Sequence, residues 1–204
     1  MSLDIRAFEH GGVPAPKKPV IVFLHGYGSN EQDLAGLINF LPPMPWVSLR
    51  APISLQPGSY AWAPITVPGN PEAGPVEEVT RSVWNWIDVN LPEDSLIIPI
   101  GFSQGGMMAT QLLRTRPERV LTTVVLAGFT LGHPQPADDA VRQELPPVIY
   151  CRGLDDQVIS PSAVARTAEW LGENTTLTAK TYYRLGHSID ERVMQDVHDF
   201  LKSI

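Results

Sequence analysis

Three short segments of this chain carry residue types that can perform covalent chemistry together. Gly101-Phe102-Ser103-Gln104-Gly105-Gly106 contains the pattern G-x-S-x-G. Leu185-Gly186-His187-Ser188 supplies a histidine, and Asp155-Asp156 supplies two adjacent carboxylates. A serine hydroxyl is a weak nucleophile until a base takes its proton. The base works best when an acid orients its ring and stabilises its cation. Ser103, His187 and one of the two aspartates are therefore read as nucleophile, base and acid. Of the other histidines, His133 is the alternative base, His25 is expected to hold the turn it begins, and His10 and His198 read as surface residues. Acyl transfer also needs backbone donors for the developing oxyanion. Gln104 follows the nucleophile, so its amide is one candidate. The second is the amide of Tyr27, in a turn where Gly26 and Gly28 allow close approach. Gly26-Tyr27-Gly28 is not read as a dinucleotide fingerprint, because Glu31 stands where a third glycine belongs.

Such residues act only if secondary structure brings them together. Val20–Leu24, Trp46–Arg50, Leu96–Ile100, Val120–Leu126, Val148–Cys151 and Leu177–Tyr183 read as strands. Helical patterns are expected over Glu31–Leu41, about 76–90, 102–116, 161–171 and the last turns of the chain. Ser29 with Gln32, and Ser188 with Glu191, have capping-box spacing. Ser160 before Pro161 reads as an N-cap, and Gly172 as the end of that helix. The prolines of the stretch 51–75 (Pro52, Pro57, Pro64, Pro68, Pro71 and Pro75) mark a long loop, which also holds Tyr60 and Trp62. Strands alternating with helices imply a mostly parallel sheet covered on both faces, and ligands then bind beyond the strands' carboxyl ends. Ser103, the aspartate pair and His187 each follow a different strand, in the order serine, acid, histidine. That is the chain order of an α/β-hydrolase.

Composition sets the outer bounds. The chain has 204 residues, 43% hydrophobic and 18% charged, which suits one globular domain over 1–204. A net charge of −7 argues against nucleic acid or an anionic membrane as a partner. The single cysteine, Cys151, excludes an internal disulfide framework. The opening residues lack the basic and apolar regions of a signal peptide, and no apolar run is long enough to span a membrane, so the expectation is a cytoplasmic protein.

Leu24-His25-Gly26-Tyr27-Gly28-Ser29-Asn30-Glu31-Gln32-Asp33-Leu34, Gly101–Gly106, Asp156-Gln157-Val158-Ile159 and Gly186-His187 together resemble the phospholipase/carboxylesterase family of α/β-hydrolases. The resemblance covers roughly residues 18–202. It implies a mostly parallel sheet with helices on both faces and little or no cap domain. It implies a serine hydrolase without a cofactor or metal, acting on a small-molecule ester or thioester. It carries the roles of nucleophile, base and acid to Ser103, His187 and Asp156, and those of the oxyanion donors to the amides of Tyr27 and Gln104. The family register selects Asp156 over Asp155, although Leu154 and Ser160 depart from the family pattern. Tyr60-Ala61-Trp62 resembles an aromatic stretch beside the acyl pocket. Trp62, Phe129 and Leu131 are accordingly expected to form an apolar wall for a short or medium acyl chain. The expected function is hydrolysis of carboxylic esters. The alternatives are a thioesterase acting on acyl-proteins or small acyl thiols, and a non-catalytic binding protein on the same fold.

Overall fold

The computed structural model describes residues 3–12, 14–65 and 69–204. Met1, Ser2 and Pro68, which entered the sequence reading, lie outside them. Among the described residues nine strands and five α-helices form. The strands are β1 (Arg6–Gly11), β2 (Val20–Leu24), β3 (Trp46–Arg50), β4 (Ile53–Gln56), β5 (Ser59–Ala61), β6 (Ile97–Phe102), β7 (Thr123–Leu126), β8 (Pro147–Gly153) and β9 (Thr176–Tyr182). The helices are α1 (Ala73–Asn90), α2 (Gln104–Thr115), α3 (Asp138–Glu144), α4 (Pro161–Asn174) and α5 (Glu191–Ser203).

Seven strands make one sheet in the order β1-β3-β2-β6-β7-β8-β9, and β4 pairs with β5 in a separate hairpin. Only β1 runs antiparallel in the large sheet; the other neighbours are parallel. The continuous apolar run of β2 shows why. Val20, Val22 and Leu24 enter a core shared with Val83 of α1 and Met107 and Leu112 of α2. Ile21 and Phe23 face the other way, into a core shared with Val193 and Val197 of α5. Alternate side chains point to opposite faces, so a strand buried on both must be apolar throughout. All five residues of β2 are fully buried.

Several local expectations give way to the structure. Glu31–Leu41 is not an α-helix; turns lead into a short 3-10 helix over Ala35–Phe40. Its expected capping box does not form. Ser29 donates to Asp33 instead, and Asn30 Oδ1 accepts the Gln32 amide in an Asx turn. The stretch 51–75 is not a bare loop, since it contains the β4–β5 hairpin, turned at Gly58 with φ +76°. Helix α1 begins at Ala73, three residues earlier than expected, and β7 begins at Thr123, not Val120. Ser160 does cap α4, accepting the Ala163 amide at 3.3 Å. Gly172 does not end that helix, which continues to Asn174. Asp190, not Ser188, caps α5, accepting the Arg192 and Val193 amides. A carboxylate one residue before the helix reaches both donors, which the Ser188 hydroxyl is too far upstream to do. Strand β1 and helix α3 carried no periodicity strong enough to be read.

Candidate active site

Ser103 stands between β6 and α2 with φ +56° and ψ −117°. That backbone conformation costs a non-glycine residue about 1–3 kcal/mol. The surroundings enforce it. The Ser103 amide donates to the Leu126 carbonyl of β7 at 2.9 Å, and the Ser103 carbonyl accepts from the Met107 amide at 3.1 Å. The flanking glycines allow the elbow to close. A Cβ at Gly105 would fall on the Leu24 carbonyl oxygen, and one at Gly101 on the Gly105 carbonyl oxygen.

Three side chains from three strand ends meet here. The Ser103 hydroxyl lies 2.9 Å from His187 Nε2. His187 Nδ1 lies 2.8 Å from Asp156 Oδ2. With the carboxylate as acceptor, Nδ1–H donates to Asp156 and Nε2 is left to accept the serine proton. Asp156 is held in turn, because its Oδ1 accepts the amides of Val158 at 2.8 Å and Ile159 at 3.2 Å. The ring of Phe102 packs against the His187 ring at 4.8 Å between centroids. Asp155 points elsewhere and is exposed; its amide donates to the Leu185 carbonyl.

A cavity of about 250 Å³ opens over Ser103 and His187. Tyr27 and Gln104 both border it, and neither backbone amide has a protein acceptor among the described residues. The loop carrying Tyr27 is fixed by His25. That buried imidazole donates from Nδ1 to the Gly26 carbonyl and accepts the Ala51 amide on Nε2. Both ring nitrogens are thus used in the neutral form, and burial lowers the histidine's basicity below its ordinary value.

The expected apolar wall is only partly where the sequence reading put it. Phe129 lines the cavity. Trp62 does not; it is fully buried beneath, with its indole N–H donating to the His25 carbonyl at 2.8 Å. A side chain able to donate is drawn to a buried carbonyl more strongly than to an apolar wall. Leu131 is also buried away from the cavity, and its carbonyl accepts from Arg114. Ile65, Pro71, Val158 and Ile159 supply the apolar lining that sequence reasoning missed. Another missed role belongs to the Gln104 side chain. Its Oε1 accepts the Trp62 amide at 2.8 Å and its Nε2 donates to the Ala63 carbonyl at 2.7 Å. The alternative base, His133, is exposed outside this cavity, and its carbonyl accepts from Arg114. His10 is exposed on β1. His198 is not simply solvated, since its Nδ1 donates to the Phe40 carbonyl at 2.8 Å.

The family model described as phospholipase/carboxylesterase matches residues 13–204. The chain belongs to the phospholipase/carboxylesterase family. The carboxylesterase of Mesorhizobium loti shares the fold at 20% identity and a TM-score of 0.76, over 91% of this chain and 89% of that one. The Bacillus cereus carboxylesterase does so at 19% identity and a TM-score of 0.77, over 99% and 95%. These likenesses establish the α/β-hydrolase fold. A pimeloyl-[acyl-carrier protein] methyl ester esterase of Aromatoleum aromaticum is 32% identical over 111 residues. That match spans 53% of this chain and 37% of the relative.

The thiol of Cys151 is poorly placed for nucleophilic chemistry. Cys151 is buried in β8, and burial pushes its thiol up to about 11. No group of three or more metal-ligating side chains occurs among the described residues. None of the described helices is long and apolar enough to cross a membrane.

Proposed function

We propose that the protein is a serine esterase that hydrolyses carboxylic esters through an acyl-enzyme. The observation that carries this reading is the unbroken line from Ser103 through His187 to Asp156, opening into a cavity. Ser103 attacks the ester carbonyl as His187 Nε2 takes its proton. Asp156 fixes the ring and stabilises the imidazolium. The carbonyl oxygen, now negative, is received by the amides of Tyr27 and Gln104, and loss of one such donor typically costs about 100- to 1000-fold. His187 returns the proton to the departing alkoxide. Water, deprotonated by the same histidine, then releases the acid and restores Ser103.

The cavity size supports a short or medium acyl chain, since 250 Å³ is below the usual range for drug-sized ligands of about 300–1,000 Å³. Phe129 forms part of its apolar wall. The same attack on a carbonyl serves thioesters, and a panel of matched esters and thioesters ranks the two. The direct test is a fluorophosphonate probe. Wild type is expected to be labelled on Ser103 and Ser103→Ala not at all. Labelling at another serine removes Ser103 from its role.

A further inference from the structure

The cavity has two chemically different sides, and the order of strands explains why. β2 lies on one side of β6, and β7 and β8 lie on the other. Ser103 follows β6 and so stands between them. The loop after β2 contributes Tyr27, Ser29 and Asp33 to the lining. The loops after β7 and β8 contribute Phe129, Val158 and Ile159. Ser103 thus lies between the loop that carries Asp33 and the apolar loops, and Ile65 and Pro71 add further apolar lining.

The polar side also has a sign. Asp33 is the one carboxylate in the described lining, and no lysine or arginine is there. Asp33 is exposed, and its Oδ2 accepts the Ser29 hydroxyl at 2.8 Å. Tyr27 on the same loop is 42% exposed. Two guanidiniums neighbour this region without lining the cavity. Arg50 pairs with Glu31 and lies over the Tyr60 ring. Arg166 donates to the carbonyls of Gly69 and Thr130. The whole chain adds a net charge of −7 to the same sign.

We propose that Asp33, with Tyr27 beside it, selects esters that carry a cationic group such as an ammonium on one arm and an apolar group on the other. The proposal rests on the esterase reading. A carboxylate at a wet cavity mouth attracts a cation modestly, because water screens the pair. The tyrosine face adds attraction for a desolvated ammonium. An anionic arm meets Asp33 and the net field of the protein with no cation in the lining to compensate.

Three esters of one acyl group test this: the choline ester, its neutral 3,3-dimethylbutyl isostere, and an anionic sulfonatoethyl ester. The choline ester is expected to exceed the neutral one in kcat/KM by about two- to fivefold at low salt, with the anionic ester lowest. Raising ionic strength should shrink that ratio. Asp33→Asn keeps an oxygen for the Ser29 hydroxyl and removes the charge, so the ratio should fall toward one. Glu144→Gln removes an equal charge from the distant helix α3 and should leave the ratio in place. A wild-type ratio of one or less, or a ratio unmoved by Asp33→Asn, overturns the assignment of Asp33. Failure of the esterase reading looks different: none of the three esters turns over, and the fluorophosphonate does not label Ser103.

Discussion

The indole N–H of Trp62 donates to the carbonyl oxygen of His25 at 2.8 Å. This bond joins the segment after β5 to the loop that carries the Tyr27 amide. Gln104 binds the same segment from the other side, through the Trp62 amide and the Ala63 carbonyl. Both proposed oxyanion donors are therefore tied to one buried strut. Trp62→Phe keeps an aromatic ring and removes the N–H. It is expected to cost about 1–3 kcal/mol of stability, because the His25 carbonyl is left buried and unpaired. It should also lower kcat by up to about 100-fold with KM little changed, since small displacements of catalytic groups are costly. Urea unfolding and steady-state kinetics read the two effects separately. Unchanged kcat in the folded variant would make Trp62 a purely structural residue.

The two adjacent aspartates should behave oppositely. Asp156 contacts His187 and is pinned by two amides, whereas the Asp155 side chain is exposed. Asp156→Asn is expected to lose roughly 10,000-fold in kcat with its circular dichroism unchanged. Asp155→Asn should stay within about twofold in kcat and about 0.5 kcal/mol in stability. The reverse order in the kinetics would transfer the acid's role to Asp155.

Strain at the elbow predicts an unusual ranking of inactive variants. At φ +56° and ψ −117°, Ser103→Ala keeps a Cβ where only glycine is relaxed. Ser103→Gly should therefore be more stable than Ser103→Ala by about 1 kcal/mol, after allowing for the greater flexibility of unfolded glycine. Thermal unfolding of the pair checks this, and equal melting temperatures would show that the elbow is unstrained.

His25 ties stability to pH. Burial lowers its basicity below the ordinary 6.5, outweighing its bond to the Gly26 carbonyl. The unfolded chain accepts a proton near pH 6.5, and the folded chain does so only at lower pH. The stabilisation is complete above about pH 6.5 and is lost as pH falls toward the folded value, by at most about 1.4 kcal/mol per pH unit. Urea titrations from pH 8 to pH 5 measure the slope. His25→Asn should flatten it from a lower starting stability, and a wild-type slope that survives the substitution belongs to another group.

Residues whose roles are set by chain neighbours were legible. Ser103 sits in a turn that glycines at 101 and 105 permit, and Ser160 caps a helix that Pro161 starts. The burial of Val20–Leu24 on both faces follows from its composition alone. Residues whose roles are set by distant partners were not. Trp62 reads as an acyl wall because nothing local shows His25 as its acceptor, 37 positions away. The Gln104 side chain is silent for the same reason, since its partners lie 41 and 42 positions away. The caps of α5 show a finer limit. Ser188 and Asp190 are both good capping residues, and only the backbone path decides which one meets the helix.

The place of His187 has a consequence for how the protein loses activity. The base follows β9, an edge strand with mostly exposed or half-exposed residues, and precedes the terminal helix α5. Ser103 follows β6 near the middle of the sheet. Partial opening of an exposed terminal unit costs less than global unfolding. Detachment of β9 and α5 would withdraw the base and leave the nucleophile in place. Mild denaturant should thus abolish turnover below the urea concentration of the global unfolding transition, making catalysis the more sensitive gauge of this edge of the sheet.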